Sequence, residues 1–169
     1  MHTEFTEQGM RAGFQIGLLD LWDKSRQTDH LPNFRSFPFD RFIQFVDHLM
    51  CSDVQYSNGT PDFIILFHGE GFTRSYGRRC HGRPLKEVLP EAIRARTLFD
   101  YETVALTKLP RFSSNPVTGA DGVTVQYQRL LLPFTIWDKT TDRIICAVHL
   151  TPENGRAVPH GLFSVAEED

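Results

Sequence analysis

Histidines beside acidic or thiol side chains are the feature of this sequence that could support metal chemistry. His68-Gly69-Glu70 has the H-x-E spacing that places two side chains on one face of a strand, as a zinc deaminase requires. The second half of that signature, P-C-x-x-C, does not occur in the chain. A histidine at a strand end beside a glycine loop is therefore the better interpretation.

Each of the three cysteines also has a histidine close by, in the patterns His48-x-x-Cys51, Cys80-His81 and Cys146-x-x-His149. Residues three apart on a strand point to opposite faces, so Cys146 and His149 cannot readily bind one metal ion together. An odd number of widely spaced cysteines without a C-x-x-C pair also argues against a disulfide framework and a zinc ribbon. We expect reduced thiols and no metal site.

Other catalytic signatures are missing from the sequence. No Ser/His/Asp set includes a nucleophile elbow, no phosphate-binding glycine loop follows a strand-like run, and no acidic pair is singled out by its surroundings. The sequence therefore predicts that the protein is not an enzyme.

Length and composition predict one soluble, cytoplasmic domain. A chain of 169 residues with 40% hydrophobic residues can build one ordinary core. A net charge of -3 and the lack of a basic block argue against nucleic acid as a partner, and the one basic cluster, within 74–83, fits a solvated face around a loop. The N-terminus does not resemble a signal peptide, and no apolar run is long enough to span a membrane.

An amphipathic helix is predicted near the N-terminus, from about Met10 to Arg26. Its apolar side chains recur at i, i+4, i+7 and i+8, which gathers them on one face. These side chains are Phe14, Leu18, Leu21 and Trp22. We expect this face to be covered either by the protein's own sheet or by a second chain, and a homodimer through it is plausible.

The remaining periodicity predicts an α+β fold with one antiparallel sheet and helices on one face. Asn58-Gly59 is typical of a tight hairpin turn between the first two strands. The segments expected after the first helix are a short helix at 39–49, strands at 51–56 and 62–68, short helical pieces at 71–76 and 84–89, and a longer helix at 90–106. A strand at 111–117 interrupted by Pro116 and a hairpin at 123–150 complete the pattern.

The hairpin strand at 123–136 changes its apolar parity part of the way along. Apolar residues first occupy odd positions up to Tyr127 and then even positions from Leu130. This change suggests a bulge or a pronounced twist around Gln128-Arg129. Arg129 would then either bind an anionic ligand or a carboxylate, or pair with a helix acid such as Glu102.

Aromatic residues could either fill the core or line an apolar ligand pocket. The chain contains 14 phenylalanines. The candidates for such a pocket are Phe63, Phe67, Phe99, Tyr101 and Tyr127, with Arg129 as a polar member.

Several short motifs together resemble the PAS domain over roughly 17–150, and most closely a bacterial family of short PAS-like proteins with a tryptophan in the N-terminal helix. The matching motifs are Leu21-Trp22, Leu31-Pro32, His48-Leu49-Met50, Gly69, Tyr76-Gly77, Gly82-Arg83-Pro84-Leu85 and Arg129-Leu130-Leu131-Leu132-Pro133. The second strand departs from the pattern, because no arginine precedes its apolar pair, and the tail from Thr151 lies beyond the resemblance. The resemblance implies a five-stranded antiparallel sheet in the order 2-1-5-4-3, with helices on one face and often a small cavity.

This resemblance also implies a domain organisation and a function. The chain would divide into an N-terminal helix and linker at 1–38, a PAS-like domain at 39–152 and a mobile acidic tail at 153–169. A small ligand in the cavity would bias the packing of the N-terminal helix, and the signal would pass to a protein partner or to the second subunit of a homodimer. The alternative is a scaffold for protein interaction or dimerisation that binds no ligand.

Cofactor sensing is a weaker alternative that the resemblance raises. Some PAS domains hold haem through a histidine, and His81 is the main candidate here because the longest helix contains no histidine. The stretch 77–81 is superficially similar to the flavin-linked motif of light-sensing PAS domains, but the similarity ends at Cys80. We therefore expect no cofactor.

Overall fold

One five-stranded antiparallel sheet organises the protein. The computed structural model describes residues 12–27, 30–119, 121–137, 139–153 and 162. The strands are β1 (Leu49–Ser57), β2 (Thr60–His68), β3 (Arg111–Thr118), β4 (Thr124–Phe134) and β5 (Arg143–Pro152). Their spatial order is β2-β1-β5-β4-β3. This is the order that the PAS resemblance implies, so the predicted α+β fold is confirmed.

Helices cover both faces of this sheet. They are α1 (Gly13–Lys24), a 3-10 helix (Phe39–His48), α2 (Glu70–Tyr76), α3 (Leu85–Val88) and α4 (Glu91–Thr107). We call the face beneath α2, α3 and α4 the inner face, and the face beneath α1 and the 3-10 helix the outer face. The sequence predicted helices on one face together with an N-terminal helical extension, and the structure places that extension on the outer face. The outer-face helices add a second hydrophobic core to the protein.

The N-terminal helix packs on the protein's own sheet. Leu18 and Trp22 are fully buried, and Phe14 and Leu21 are half-buried against the outer-face core. The indole Nε1 of Trp22 donates a hydrogen bond of 2.7 Å to the carbonyl oxygen of Pro133, which fixes the helix across β4. The sequence left two coverings open for this face, and the structure shows the first, the protein's own sheet.

Strand β2 begins at a tight turn and ends beside a bulge. Asn58 and Gly59 have φ angles of 50° and 79°, the positive values that a two-residue hairpin turn of this type needs. Near the other end, Cys51 pairs with Phe67 whereas Ser52 pairs with Ile65. Leu66 is therefore the extra residue of a β-bulge. The bulge changes which face of the sheet the end of β2 presents.

The sequence suggested a bulge or a pronounced twist around Gln128-Arg129 in β4, and the bulge does not occur. β4 pairs without a register shift with β3, from Thr118↔Thr124 to Arg111↔Leu131, and with β5 along its length. The strand is buried on both faces from position 127 to 134. Odd-numbered residues contribute to the inner core and even-numbered residues to the core under α1. The change of apolar parity therefore reflects two-sided burial, not an extra residue.

Pro116 does not interrupt β3 as the sequence predicted. The strand continues through it, with Pro116 opposite Gln126. β3 lies at the edge of the sheet, where a residue without an N–H can face away from the neighbouring strand.

Most of the predicted acidic tail at 153–169 lies outside the described residues, with only Glu153 and Leu162 described. The predicted start of the first helix at Met10 lies outside them as well. Among the described residues, no helix has the length and apolar character that crossing a lipid bilayer requires.

Candidate ligand-binding site

Polar side chains meet in the interior between the inner face and α4. Thr97, Asp100 and Tyr101 share the buried side of α4 because they are spaced at i, i+3 and i+4. Tyr127 and Arg129 face them from β4. Polar groups at this depth are costly unless they are hydrogen-bonded to one another. Their partners therefore decide what this region can bind.

The guanidinium of Arg129 is held by α4. Its Nη2 donates to the carboxylate of Asp100 at 2.5 Å, and its Nη1 donates to the hydroxyl of Thr97 at 2.5 Å. Both side chains of the ion pair are 3% exposed. The second carboxylate oxygen of Asp100 accepts from Nε of Arg111, also at 2.5 Å. One carboxylate thus bridges two arginines, one buried and one near the surface.

Arg129 therefore forms the ion pair with an acid of the helix that the sequence allowed for, but the acid is Asp100. Glu102 was the example named, and it lies on the exposed side of α4, while Asp100 lies on the buried side. An anionic ligand at the Nη atoms of Arg129 would have to displace Thr97 or the Asp100 carboxylate, and Nε, which has no hydrogen-bond partner among the described residues, is buried. We therefore place the candidate ligand site elsewhere on the inner face.

Two tyrosines lie at the deep end of a cleft beside this ion pair. Burial raises the pKa of Tyr127 to about 12, and the hydroxyls of Tyr76 and Tyr127 share a hydrogen bond. Burial likewise raises the pKa of Tyr76 well above its usual value. Both phenols are therefore neutral at physiological pH, and they offer a hydrogen-bonding group without a charge.

The cleft lies between α2 and the adjacent ends of β4 and β5. Its volume is about 160 Å³. The apolar part of the lining is formed by Phe72, Val148 and Leu150, and the polar part by Asp47, His48, Arg74, Ser75, Tyr76 and Tyr127. An ion pair of 3.9 Å between Nη2 of Arg74 and Asp47 lies at its exposed end. A cavity of about 150 Å³ accommodates benzene. This cleft therefore suits a molecule of similar size.

The predicted pocket residues separate into two groups. Phe63 and Tyr101 are buried together in the inner core with ring centroids 5.2 Å apart, and Tyr127 lines the cleft. Phe67 and Phe99 were predicted to join them, and both are placed elsewhere. Phe67 is 44% exposed and lies on the outer face, because the bulge at Leu66 changes its direction.

Phe99 is also outside the inner cavity, because it lies on the solvent side of α4. Its ring is 61% exposed, and the guanidinium carbon of Arg111 lies 5.5 Å from the ring centroid. The sequence analysis missed the α2 residues Phe72, Ser75 and Tyr76. Their i, i+3 and i+4 spacing was the available signal for a shared buried face.

The position of His81 does not suit a haem ligand in the cleft. His81 is exposed and does not line the cleft. No group of three or more His, Cys, Asp and Glu side chains comes together among the described residues in a way that could hold a metal ion. A cleft of about 160 Å³ is also far too small to enclose a porphyrin. The inner site therefore does not fit haem.

The three cysteines are expected to resist alkylation in the folded protein. All three are buried, and burial raises the pKa of Cys51 to about 12 and that of Cys146 to about 11. The thiolate is the reactive form, so almost none is present at pH 8. Iodoacetamide followed by intact-mass analysis should label no cysteine in buffer and all three in denaturant. Rapid labelling of the native protein would contradict the burial of these thiols.

Comparisons with known proteins give similarity to solved structures but no match by sequence. No protein-family model matches the sequence, and no curated protein is similar to it. Among solved structures, a PAS domain of an HTR-like protein from Haloarcula marismortui is similar, with 20% sequence identity and a TM-score of 0.36. The similarity covers 66% of this chain and 95% of that chain.

Proposed function

We propose that this protein is a sensory or regulatory module of the PAS-like type, not an enzyme. A small ligand in the cleft between α2 and the sheet would change the packing of the N-terminal helix, and the signal would pass onward through protein–protein contacts. The buried thiols with raised pKa values support a role without nucleophilic catalysis.

The observation that carries this proposal is a direct contact between the cleft and α1. His48 lines the cleft at the end of the 3-10 helix, and its ring centroid lies 5.5 Å from that of Phe14 in α1. Phe14 also stacks on Phe45 of the 3-10 helix, with centroids 4.9 Å apart. A molecule that displaces His48 therefore acts on the first turn of α1 through one layer of side chains.

The coupling between the cleft and α1 is stiff because the backbone at the start of α2 is in contact with the backbone at the end of the 3-10 helix. A Cβ atom added to Gly69 would lie 2.1 Å from the carbonyl oxygen of Val46, and one added to Gly71 would lie 2.4 Å from that of Asp47. The start of α2 is thus in contact with the end of the 3-10 helix. Because packed interiors have few voids, a shift of α2 toward the 3-10 helix must move that helix as well.

The lining restricts the ligand to a small, largely apolar molecule with one polar group. Phe72 and Val148 provide apolar surface, and the hydroxyls of Tyr76 and Tyr127 provide hydrogen bonds. By comparison with the benzene-sized cavity of about 150 Å³, the ligand has roughly six to ten non-hydrogen atoms. Phenol has this size and chemistry and is a suitable first probe.

Thermal shift with a library of such compounds, beginning with phenol, tests the proposal. At least one compound should raise the melting temperature of the wild-type protein, because binding to the folded state stabilises it. The same compound should change hydrogen exchange of the backbone amides in α1. Replacing Ser75 by leucine fills part of the cleft and should abolish both responses.

Thr103→Leu is the matched control for Ser75→Leu. Each hydroxyl donates to the carbonyl four residues earlier in its helix, at 2.9 Å for Ser75 and 2.8 Å for Thr103, but Thr103 lies on α4 outside the cleft. The control variant should keep the ligand response. If no compound affects the wild-type protein, ligand sensing is excluded and the ligand-free scaffold is the better description.

A further inference from the structure

A larger apolar groove opens on the outer face of the sheet, on the opposite side from the proposed sensory cleft. Its volume is about 390 Å³, within the range of roughly 300–1,000 Å³ that is usual for ligand pockets. The 3-10 helix forms one wall through Phe39, Phe42 and Ile43. The ends of β1 and β2 form the other wall through Cys51 and Phe67.

Two large apolar side chains at this groove are left open to solvent. Ile43 is 70% exposed and Phe67 is 44% exposed. The bulge at Leu66 brings Leu66 and Phe67 to the same groove, which enlarges its apolar wall. Burial of this surface by an apolar molecule would be favourable in proportion to the area removed from water.

Arg143 is the one charged residue among those lining the groove, and its guanidinium is only partly engaged. Its Nη1 donates to the carboxylate of Asp53 and to the carbonyl oxygen of Asp142. Within the described part of the chain, its Nε and Nη2 donate no hydrogen bond, and its guanidinium carbon lies 6.0 Å from the ring centroid of Phe34, which also lines the groove. These two nitrogens form one edge of the guanidinium, and that edge matches the two oxygens of a carboxylate.

We propose that this groove binds an aliphatic monocarboxylate, with the chain against the apolar walls and the carboxylate on the free edge of Arg143. Asp53 contacts Nη1 and not the Nε–Nη2 edge, and its second oxygen accepts from Nε2 of Gln55, so the two carboxylates would lie on different sides of the guanidinium. Arg143 would then bridge two carboxylates, as Asp100 bridges two arginines on the inner face. By comparison with a cavity of about 150 Å³ that accepts benzene, the groove suits roughly 10–15 non-hydrogen atoms, and decanoate has about 12.

Isothermal titration calorimetry tests whether the groove binds a monocarboxylate. The ligands are decanoate, octanoate and decanol, each used at a concentration at which it does not aggregate. Decanoate should bind, and octanoate should bind roughly tenfold more weakly because it lacks two methylene groups. Arg143→Gln should weaken decanoate roughly tenfold and leave decanol unchanged, because it removes a charged hydrogen-bond donor. Arg143→Lys keeps the charge without the two-nitrogen edge and should show an intermediate loss.

Ile43→Asp is a second variant that tests the groove if the Arg143 variants fold poorly. Ile43 is largely exposed, so its replacement should leave the fold intact while a charge enters the apolar groove. It should weaken both decanoate and decanol at least roughly tenfold. Leu106→Asp makes the same kind of change on α4, where Leu106 is 54% exposed, and should bind both ligands as the wild type does.

Three results would overturn the proposal. The first is no heat of binding for decanoate, and the second is equal decanoate binding by the Ile43→Asp and Leu106→Asp proteins. The third concerns the oligomeric state, measured by sedimentation velocity. If the wild type is a dimer that binds no decanoate, and Ile43→Asp is a monomer, then a second copy of the chain covers the groove. None of these outcomes concerns the inner cleft, so the two sites are tested separately.

Discussion

Gly69→Ala should lower the free energy of unfolding by about 3 kcal/mol, because the added methyl group has no space. The new Cβ would lie 2.1 Å from the carbonyl oxygen of Val46 and 2.4 Å from the Cα of Asp47. Both are backbone atoms, so no side-chain rotation relieves the overlap. Urea unfolding followed by far-UV circular dichroism measures the change. The overlap also separates α2 from the 3-10 helix, so the small-compound response proposed for the inner cleft should be lost.

Gly17→Ala is the matched control for this prediction. Gly17 lies inside α1, and an added Cβ would meet only Cε1 of Phe42 at 3.8 Å, an ordinary contact. Alanine should therefore stabilise the protein by about 0.5–1 kcal/mol, the usual advantage of alanine over glycine in a helix. A Gly69→Ala protein as stable as the wild type would show that the 3-10 helix moves away from α2 at little cost. The stiff coupling between the cleft and α1 would then be excluded.

The sheet could be predicted from the sequence because its signals are local. Asn58-Gly59 specifies a turn with positive φ angles, and the apolar runs on each side of it have the length and composition of strands. The strand order was predicted from the resemblance of several short motifs to those of PAS domains. In contrast, the periodicity of β4 was read correctly and explained incorrectly. Periodicity reports burial, and the second buried face depends on where α1 docks, which no local pattern specifies.

The candidate site was predicted less well than the fold, since its members meet only through tertiary contacts. Phe67 was predicted to line the pocket as one of several aromatic residues, but the bulge at Leu66 turns its side chain to the outer face. The sequence could not show whether Asp100 or Glu102 pairs with Arg129, because the choice depends on which side of α4 faces the sheet. Phe72, Ser75 and Tyr76 of α2 have the spacing of one helix face, but in a helix of seven residues that spacing does not show which element the face packs against.

Removal of Asp100 should be the other strongly destabilising change. In the Asp100→Ala protein, the guanidinium of Arg129 stays 3% exposed in the wild-type geometry but has no counter-ion. Breaking a buried ion pair from one side costs about 3–5 kcal/mol, because an uncompensated charge remains in the interior. Denaturant unfolding should show this loss. Glu102→Ala removes an exposed acid from the same helix and should change the stability by less than about 0.5 kcal/mol.

A double-mutant cycle with Arg129→Met separates the cost of a lone charge from the value of the pair. Arg129→Met alone leaves Asp100 with Arg111, whose side chain is 41% exposed and whose Nε donates to it at 2.5 Å. Asp100→Ala should therefore cost less in the Arg129→Met background than in the wild type, because no buried cation remains. Arg129→Ala should likewise lower the stability. If it instead leaves the stability intact and abolishes the response to a cleft ligand, Arg129 is a ligand-binding residue and the structural role assigned to it is wrong.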